Sequence, residues 1–204
     1  METSKLRHKP KENRGFALIE TMIAIVILAV GLLGAAALLA QLTSTSSTSR
    51  YMSTEALLAS EKLDDLNRLP SVDPAIAVTT GNSAGSLNAD LTATVTAGAV
   101  SETVDYFDTV QISSGNGSIM ETVSGKDALG NDIFTTTTHA PDGTVTSVPS
   151  NTPPAATPDM LSFKRRWIIE QNVPGLPAES RRVTVLVLLQ NGTHGGQFQT
   201  SMVR

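Results

Sequence analysis

The sequence predicts an α+β fold in which a long N-terminal helix is followed by a C-terminal antiparallel β-sheet. Three observations support this prediction. Residues 22–40 form an uncharged apolar run, residues 52–66 carry apolar side chains at helical spacing, and residues 182–189 alternate valine with other residues as a strand does. With 204 residues, the chain is long enough for one ordinary domain and an anchor.

The apolar run predicts a segment that spans a membrane. As a helix, residues 22–40 would cover roughly 28 Å at about 1.5 Å per residue, close to the thickness of a bilayer's hydrocarbon core. The run is longer than the apolar part of a secretory signal peptide, and no A-x-A-like cleavage signature follows it. A plain signal anchor remains an alternative.

Charge is distributed unevenly around this segment. The residues before Phe16 include five basic and two acidic side chains, a local charge of +3, and the chain's net charge of −4 leaves −7 for the rest. Basic flanks tend to stay on the cytoplasmic side of a membrane. We therefore expect the N-terminus inside the cell and the bulk of the chain on the exported side.

The helix is predicted to continue beyond the membrane. The side chains that would form one apolar stripe, spaced by four or three residues, are Met52, Ala56, Ala59, Leu63 and Leu66. The charged residues expected on the other faces are Glu55, Glu61, Lys62, Asp64, Asp65 and Arg68. The Ser/Thr tract at residues 43–49 forms helix poorly and could fray or bend. Pro70 disfavours helical geometry at Leu69 and predicts the end of the helix there.

One carboxylate, Glu20, stands at the entrance of the apolar run. A charge at this position costs on the order of a few kcal/mol unless it is paired or reaches the interface. An ionisable residue placed in this way is a functional candidate by default.

The residues around Glu20 resemble the class III signal of type IV pilins and pseudopilins. The shared features are a basic leader, the segment Gly15-Phe16-Ala17-Leu18-Ile19-Glu20, and the long apolar run behind it. The resemblance implies that a prepilin peptidase cleaves between Gly15 and Phe16 and N-methylates Phe16. It also implies a pilin-like fold, in which one half of the helix lies in the membrane and the other half packs on a head domain.

Glu20 thereby gains a candidate role in the register of assembly. Cleavage would create a positively charged amine at Phe16, and in a bundle of staggered helices this amine could meet Glu20 of a neighbouring subunit. In a low-dielectric bundle such a pair is favourable relative to leaving either charge alone.

Gly31 and Gly34 lie inside the apolar run, where each costs up to about 1 kcal/mol of helix stability relative to Ala. We interpret them as small residues that allow close packing against neighbouring helices. The alternative, suggested by the resemblance, is a weak point where the helix loosens on assembly.

The sequence divides into four regions. These are a basic leader at residues 1–15, a helix at 16–69 with its membrane anchor at about 18–42, a variable Thr/Ser/Gly-rich region at 70–160, and an antiparallel sheet at 161–204. Alternation of apolar and polar residues predicts strands at 91–95, 104–112, 119–123, 133–138, 163–170, 182–189 and 197–203. In the strand at 182–189, the odd-numbered residues from Val183 to Leu189 are expected to face the helix.

The C-terminal region resembles that of PilV-type minor pilins. The resemblance rests on Arg165-Arg166-Trp167, a proline-containing loop and the valine-rich strand. The cations near these strands, which could form a basic patch, are Lys164, Arg165, Arg166, Arg181 and Arg182. The sequence argues against nucleic-acid binding, because the mature chain is acidic and poor in aromatic residues for base stacking. Ion pairs with Glu170, Glu179 or neighbouring subunits are the favoured interpretation.

The sequence contains no catalytic or cofactor-binding motif. Cysteine is absent, the three histidines are scattered, and no nucleophile, zinc or phosphate-loop signature occurs. Asp127, Asn131 and Asp132 suggest calcium by their oxygen ligands, but they lack the spacing of an EF-hand and are better interpreted as a turn. We therefore expect a protein that is not an enzyme, with no cofactor and no metal.

The sequence as a whole favours a minor pilin of a type IV pilus. Its expected partners are the prepilin peptidase, other minor and major pilins through the N-terminal helix, and the lipid of a bacterial inner membrane. Its expected final location is an extracellular pilus. Two alternatives remain open. One is a minor pseudopilin of a type II secretion system, and the other is a membrane-anchored periplasmic adhesion or binding module that never polymerises.

Overall fold

A computed structural model describes residues 14–113, 115–127, 129–155, 159–177, 179–190 and 196–204, with side chains from Leu18 onward. Most of the expected leader, together with His8 and His194, lies outside the described residues. The chain divides into two compact units, Met1–Ser47 and Thr48–Arg204, which are described separately below.

One α-helix and ten β-strands make up the structure, in agreement with the predicted α+β fold. Helix α1 covers Arg14–Arg68. The strands are β1 Ser83–Gly85, β2 Thr92–Ala97, β3 Val100–Asp105, β4 Phe107–Ser113, β5 Ile119–Lys126, β6 Asp132–His139, β7 Val145–Ser150, β8 Met160–Gln171, β9 Arg181–Leu189 and β10 Gln197–Val203. A long apolar helix followed by an antiparallel sheet is a pilin-like architecture.

In the first unit, the chain is helical throughout the described part. The Ser/Thr tract is helical here and into the second unit, so the helix does not fray there, as the sequence suggested it could. Its hydroxyl groups donate to carbonyl oxygens one turn earlier in the same helix, as Thr43 does to Leu39 and Thr45 does to Gln41, each at 2.9 Å. These bonds occupy the hydroxyls locally, so they do not compete for the backbone of another conformation.

In the second unit, the last part of α1 packs on the sheet through Leu58, Ala59, Leu63 and Leu66, which are all buried. The predicted stripe is therefore correct at its C-terminal end and wrong at Met52, which is 46% exposed. The residue buried near that end is Glu55, which the sequence placed on a polar face. Helix α1 ends at Arg68, just before Pro70, as predicted.

The end of the helix is held by a residue from the last strand region. Arg204 donates from Nη1 to the carbonyl of Leu66 and from Nη2 to the carbonyl of Leu69, both at 2.9 Å. The last carbonyls of a helix have no partner within the helix, and a cation there also complements the helix dipole. Arg204 therefore satisfies the C-terminal end of α1.

The main sheet is antiparallel and has the strand order β10-β9-β8-β4-β5-β6-β7, with β1 also paired to β8. β8 lies near its centre. It pairs with β9 along one edge, and with β4 and then β1 along the other. Strands β2 and β3 form a separate hairpin. Residues on both sides of position 160 share the main sheet, so the predicted division between 70–160 and 161–204 describes composition and does not separate two sheets.

Most predicted strands are confirmed, and two errors are informative. The predicted strand at 104–112 is divided at Tyr106, because β3 pairs with β2 whereas β4 pairs with β5 and β8. The sequence missed β1, which has three residues, and β7, whose side chains are all exposed and which contains Pro149. Neither strand carries the alternation of buried and exposed residues that pattern reading requires.

The core lies between the C-terminal part of α1 and the sheet. Val183, Val185 and Val187 of β9 are fully buried in it, which confirms the predicted inward face of this strand. The single Trp167 of β8 is 5% exposed and belongs to the same core cluster. Its fluorescence therefore reports on the packing of the helix against the sheet.

Leu58→Ala should destabilise this packing strongly, because Leu58 is 2% exposed and truncation of a buried leucine costs about 2–5 kcal/mol. Leu57→Ala is the matched control, since Leu57 is 67% exposed and a surface change of this kind costs within about 0.5 kcal/mol. Denaturant unfolding of the full chain in detergent, followed by Trp167 fluorescence, measures both. Equal midpoints for the two variants would contradict the packing described above.

Candidate functional site

The N-terminal candidate site lies on the first turns of α1. The backbone of Gly15 and Phe16 is helical, and Glu20 follows on the same helix with its side chain exposed. Among the described residues, Glu20 has no ion-pair partner and its carboxylate has no hydrogen-bond partner. The structure thus places the carboxylate at the entrance of an apolar helical surface without a cation from the same described chain.

The apolar surface behind Glu20 is uncovered within its unit. Helix α1 includes an 18-residue window with a mean hydropathy of 2.8, none of which is buried. Large side chains such as Leu18 at 63% and Leu33 at 71% exposure belong to this surface. By length and composition, this is the one helix in the described part of the chain that could cross a membrane.

Gly31 and Gly34 occupy open positions on this helix. A Cβ added at either glycine would meet no heavy atom within 4 Å in the described structure, apart from the helix's own nearby backbone. Packing within the chain therefore does not require glycine at these positions. Any reason for their small size must come from what covers the helix.

Comparison with known families gives one match. Residues 10–36 match the model of the prokaryotic N-terminal methylation motif, which covers Gly15, Phe16, Glu20, Gly31 and Gly34. The N-terminal segment is type IV pilin-like. No curated protein and no solved structure gave a significant match to the chain.

This match supports a type IV pilin-like subunit that is processed as a prepilin, and it agrees with the apolar helix in suggesting a membrane-anchored precursor. Pilin-like proteins are structural subunits rather than enzymes. The match includes the residues of the expected cleavage and methylation site, but it does not assign a role to any one of them.

The second unit, Thr48–Arg204, is called the head below, and it contains a buried charge network. Asp108 of β4 lies 2.8 Å from Nζ of Lys62 in α1. Arg165 of β8 donates to the two oxygens of Asp108, from Nε at 2.7 Å and from Nη2 at 2.8 Å. Glu121 of β5 also pairs with Arg165. The network therefore joins the helix to three strands.

The charges of this network are compensated where they are buried. Burial acts to raise the pKa of Asp108, but the ammonium of Lys62 and the guanidinium of Arg165 outweigh it and hold this pKa below its usual value. Nζ of Lys62 also lies 4.2 Å from the centroid of the Trp167 ring, a favourable cation–π distance. Asp108 and its two cations thus fix where α1 meets the sheet. No sequence pattern pointed to Asp108, because Lys62 and Arg165 are far from it in the chain.

The predicted basic patch is largely neutralised. Lys164 and Arg166 both bind Asp90, at 2.6 and 2.8 Å, while Arg165 belongs to the buried network. Arg182 pairs with Glu170 at 2.9 Å, as expected. Arg181 donates to the backbone carbonyls of Ser71 and Ile76, and Glu179 forms no ion pair within the described residues. The cations stabilise the head internally and do not form a free basic surface.

The acidic loop near Asp127 is a turn. The carboxylate of Asp127 accepts hydrogen bonds from the backbone N–H groups of Leu129 and Asn131, at 2.9 and 2.8 Å, and from the Asn131 side chain. These donors hold the pKa of Asp127 below its usual value. Asp132 pairs with Lys126. In the described part of the chain, no three Asp, Glu, His or Cys residues are grouped as metal ligands usually are.

Glu55 is an ionisable residue whose burial the sequence did not predict. It is fully buried, and both its carboxylate oxygens lack a hydrogen-bond partner of standard geometry among the described residues. Gly196, just before β10, lies against it, since a Cβ there would be 3.2 Å from Oε1. Glu55 lies three residues before Leu58 and four before Ala59, and this helical spacing could have placed Glu55 on the buried face.

Burial raises the pKa of Glu55, and the backbone of Leu189 opposes this only in part. The folded state therefore binds a proton more readily than the unfolded state. The contribution of Glu55 to stability is greatest below its unfolded pKa and is lost as the pH rises through its folded pKa.

Glu55→Gln should make the head more stable at neutral pH and flatten the pH dependence of its stability above the usual carboxyl range. Thermal unfolding of the full chain, followed by Trp167 fluorescence between acidic and neutral pH, measures this change. Glu102→Gln is the control, because Glu102 is an exposed acid on β3. A wild type whose stability does not fall with rising pH relative to Glu55→Gln would contradict the burial of this carboxyl group.

Proposed function

We propose that this chain is a minor pilin of the PilV type, a structural subunit that primes or enters a type IV pilus. The observation that carries the proposal is the methylation motif at residues 10–36, which coincides with an apolar helical surface left uncovered within its unit. A prepilin peptidase cleaves between Gly15 and Phe16 and N-methylates Phe16. The basic leader keeps the N-terminus in the cytoplasm, and the head lies in the periplasm before assembly.

The apolar helix serves two environments in this proposal. In the inner membrane its exposed Leu, Ile and Val side chains contact lipid, and in the pilus they contact the helices of other pilins. In both places this surface is removed from water, which stabilises each state by roughly 25 cal/mol for each Å² buried. Because lipid and neighbouring helices are about equally apolar, the exchange between them needs a further interaction that favours the filament.

Glu20 provides that interaction. Cleavage after Gly15 leaves a cationic amine at Phe16, four residues before Glu20 on the same helix. Axial stagger between subunits brings the amine of one chain to the carboxylate of another, where the surroundings exclude water. A buried pair of this kind contributes to register more than to affinity, because each misaligned arrangement leaves a charge uncompensated.

Gly31 and Gly34 give the helix a smooth surface at mid-membrane depth. An added Cβ would meet no other described atom within 4 Å, so these positions are open to a neighbouring helix. Small residues allow two helix backbones to approach closely and gain dispersion contacts in an apolar medium. The two glycines therefore act in packing between subunits.

Glu20→Ala should leave cleavage largely intact and block incorporation into pili, because the Phe16 amine loses its partner. Immunoblots of sheared pili and of membranes, normalised to the major pilin, measure the two outcomes. Asp65→Ala is a matched control, since Asp65 is an exposed carboxylate of the same helix within the head. Glu20→Gln separates charge from size and should fail in the same way as Glu20→Ala.

Normal incorporation of Glu20→Ala would contradict the registry role of this carboxylate. The same strains separate a pilus subunit from a secretion subunit. Deletion of the whole chain should abolish piliation and twitching while exoprotein release continues. Loss of exoprotein release with normal pili would overturn the proposal in favour of a minor pseudopilin.

A further inference from the structure

A small cleft lies on the face of the main sheet that points away from α1. Asp108 of β4 reaches Lys62 on the helix, so the alternate residues Phe107, Thr109 and Gln111 point to the opposite face. The cleft has a volume of about 180 Å³. Pro153, one of two consecutive prolines that follow β7, lines its rim.

Gln111, which lines the cleft, has an unused hydrogen-bond acceptor. Gln111 is only 3% exposed, and its Oε1 has no hydrogen-bond partner in the described structure. A buried amide oxygen without a donor is costly, and such groups usually have a partner. A single water occupies roughly 30 Å³ in the liquid, so the space exceeds what one bridging water needs by several-fold. The cleft therefore has room for a larger group that carries an O–H or N–H donor.

The charges beside the cleft are already compensated. The ammonium of Lys164, which also lines it, binds Asp90 at 2.6 Å and lies 5.2 Å from the centroid of the Phe107 ring. The hydroxyl of Thr122 is bonded to that of Thr136 at 3.1 Å. The lining thus presents hydroxyl and amide groups without an uncompensated charge, and it suits a neutral ligand rather than an anion or a cation.

The apolar part of the lining includes two aromatic rings. Phe107 of β4 and Phe134 of β6 line the cleft together with Pro153 and Pro154. Sites with mostly apolar walls and a few placed polar groups bind small molecules, and the polar groups fix the orientation. A sugar ring has this combination, with C–H faces that pack on aromatic rings and hydroxyls at its edge.

We propose that this cleft binds one neutral sugar ring, with a ring hydroxyl donating to Oε1 of Gln111. The hydroxyls of Thr109 and Ser124 bond further ring oxygens, and the rings of Phe107 and Phe134 contact the C–H faces. The volume admits one ring, so the specificity is for a terminal or branch residue of a glycan rather than for a long chain. The proposal rests on the head alone and does not depend on assembly into a pilus.

Saturation-transfer NMR tests this proposal on the full chain in a detergent without a sugar headgroup. The probes are the methyl glycosides of glucose, galactose, mannose and N-acetylglucosamine, with cyclohexanol as an apolar ring that carries one hydroxyl. We expect transfer to the ring protons of at least one glycoside. Gln111→Met should weaken that binding roughly tenfold, because it removes the acceptor and keeps the volume.

Gln199→Met is the matched control, since Gln199 is exposed on β10, outside the cleft, and should bind as the wild type does. Thr109→Val provides a second variant with little change in shape, and an unchanged Trp167 emission spectrum verifies the fold of each. Absence of transfer to all four glycosides overturns the proposal. Equal binding by wild type and Gln111→Met, or transfer to cyclohexanol as strong as to the best glycoside, overturns it as well.

Discussion

The organisation of this chain follows from an apolar helical surface that its own described residues leave uncovered. The large apolar side chains of α1 from Met22 to Leu42 are more than half exposed, and no charged residue interrupts them. Water cannot be the stable surrounding of such a surface, so lipid or other helices must cover it. Glu20 lies at its entrance, where an apolar surrounding would penalise its charge.

The head also contains a carboxylate in apolar surroundings, and there the compensating cations come from the same chain. The side chain of Asp108 is fully buried, and Lys62 and Arg165 compensate its charge at hydrogen-bond distance. A buried pair is weak evidence of net stability, but loss of one partner is costly, which makes it a device for defining a unique arrangement. In the head, this ion pair defines the position of the helix on the sheet. In our proposal, Glu20 and the Phe16 amine define the position of one subunit relative to the next. Glu55 differs, because it is buried without a cation and its raised pKa is the consequence.

Most of the fold could be predicted from local sequence patterns. The rest depends on pairing between residues that are distant in the chain, which such patterns do not show. The apolar run, the helix end before Pro70 and the valine-rich strand were all predictable, because each depends on neighbours in sequence. The partner of Arg165 was not, since Asp108 lies more than fifty residues earlier in the chain. The burial of Glu55 was missed because a charged residue was assigned to a polar face by type rather than by helical phase. The N-terminal methylation motif was recognisable from sequence because it is one continuous segment of the chain.

The measurement that tests this account most directly is the intact mass of the chain purified from membranes of a strain that assembles pili. We predict a single species that begins at Phe16 and carries one added methyl group, and an unprocessed species in a strain without prepilin peptidase. A product that begins at Met1 in both strains, or one that begins near Gln41 after signal-peptide cleavage, would contradict the account.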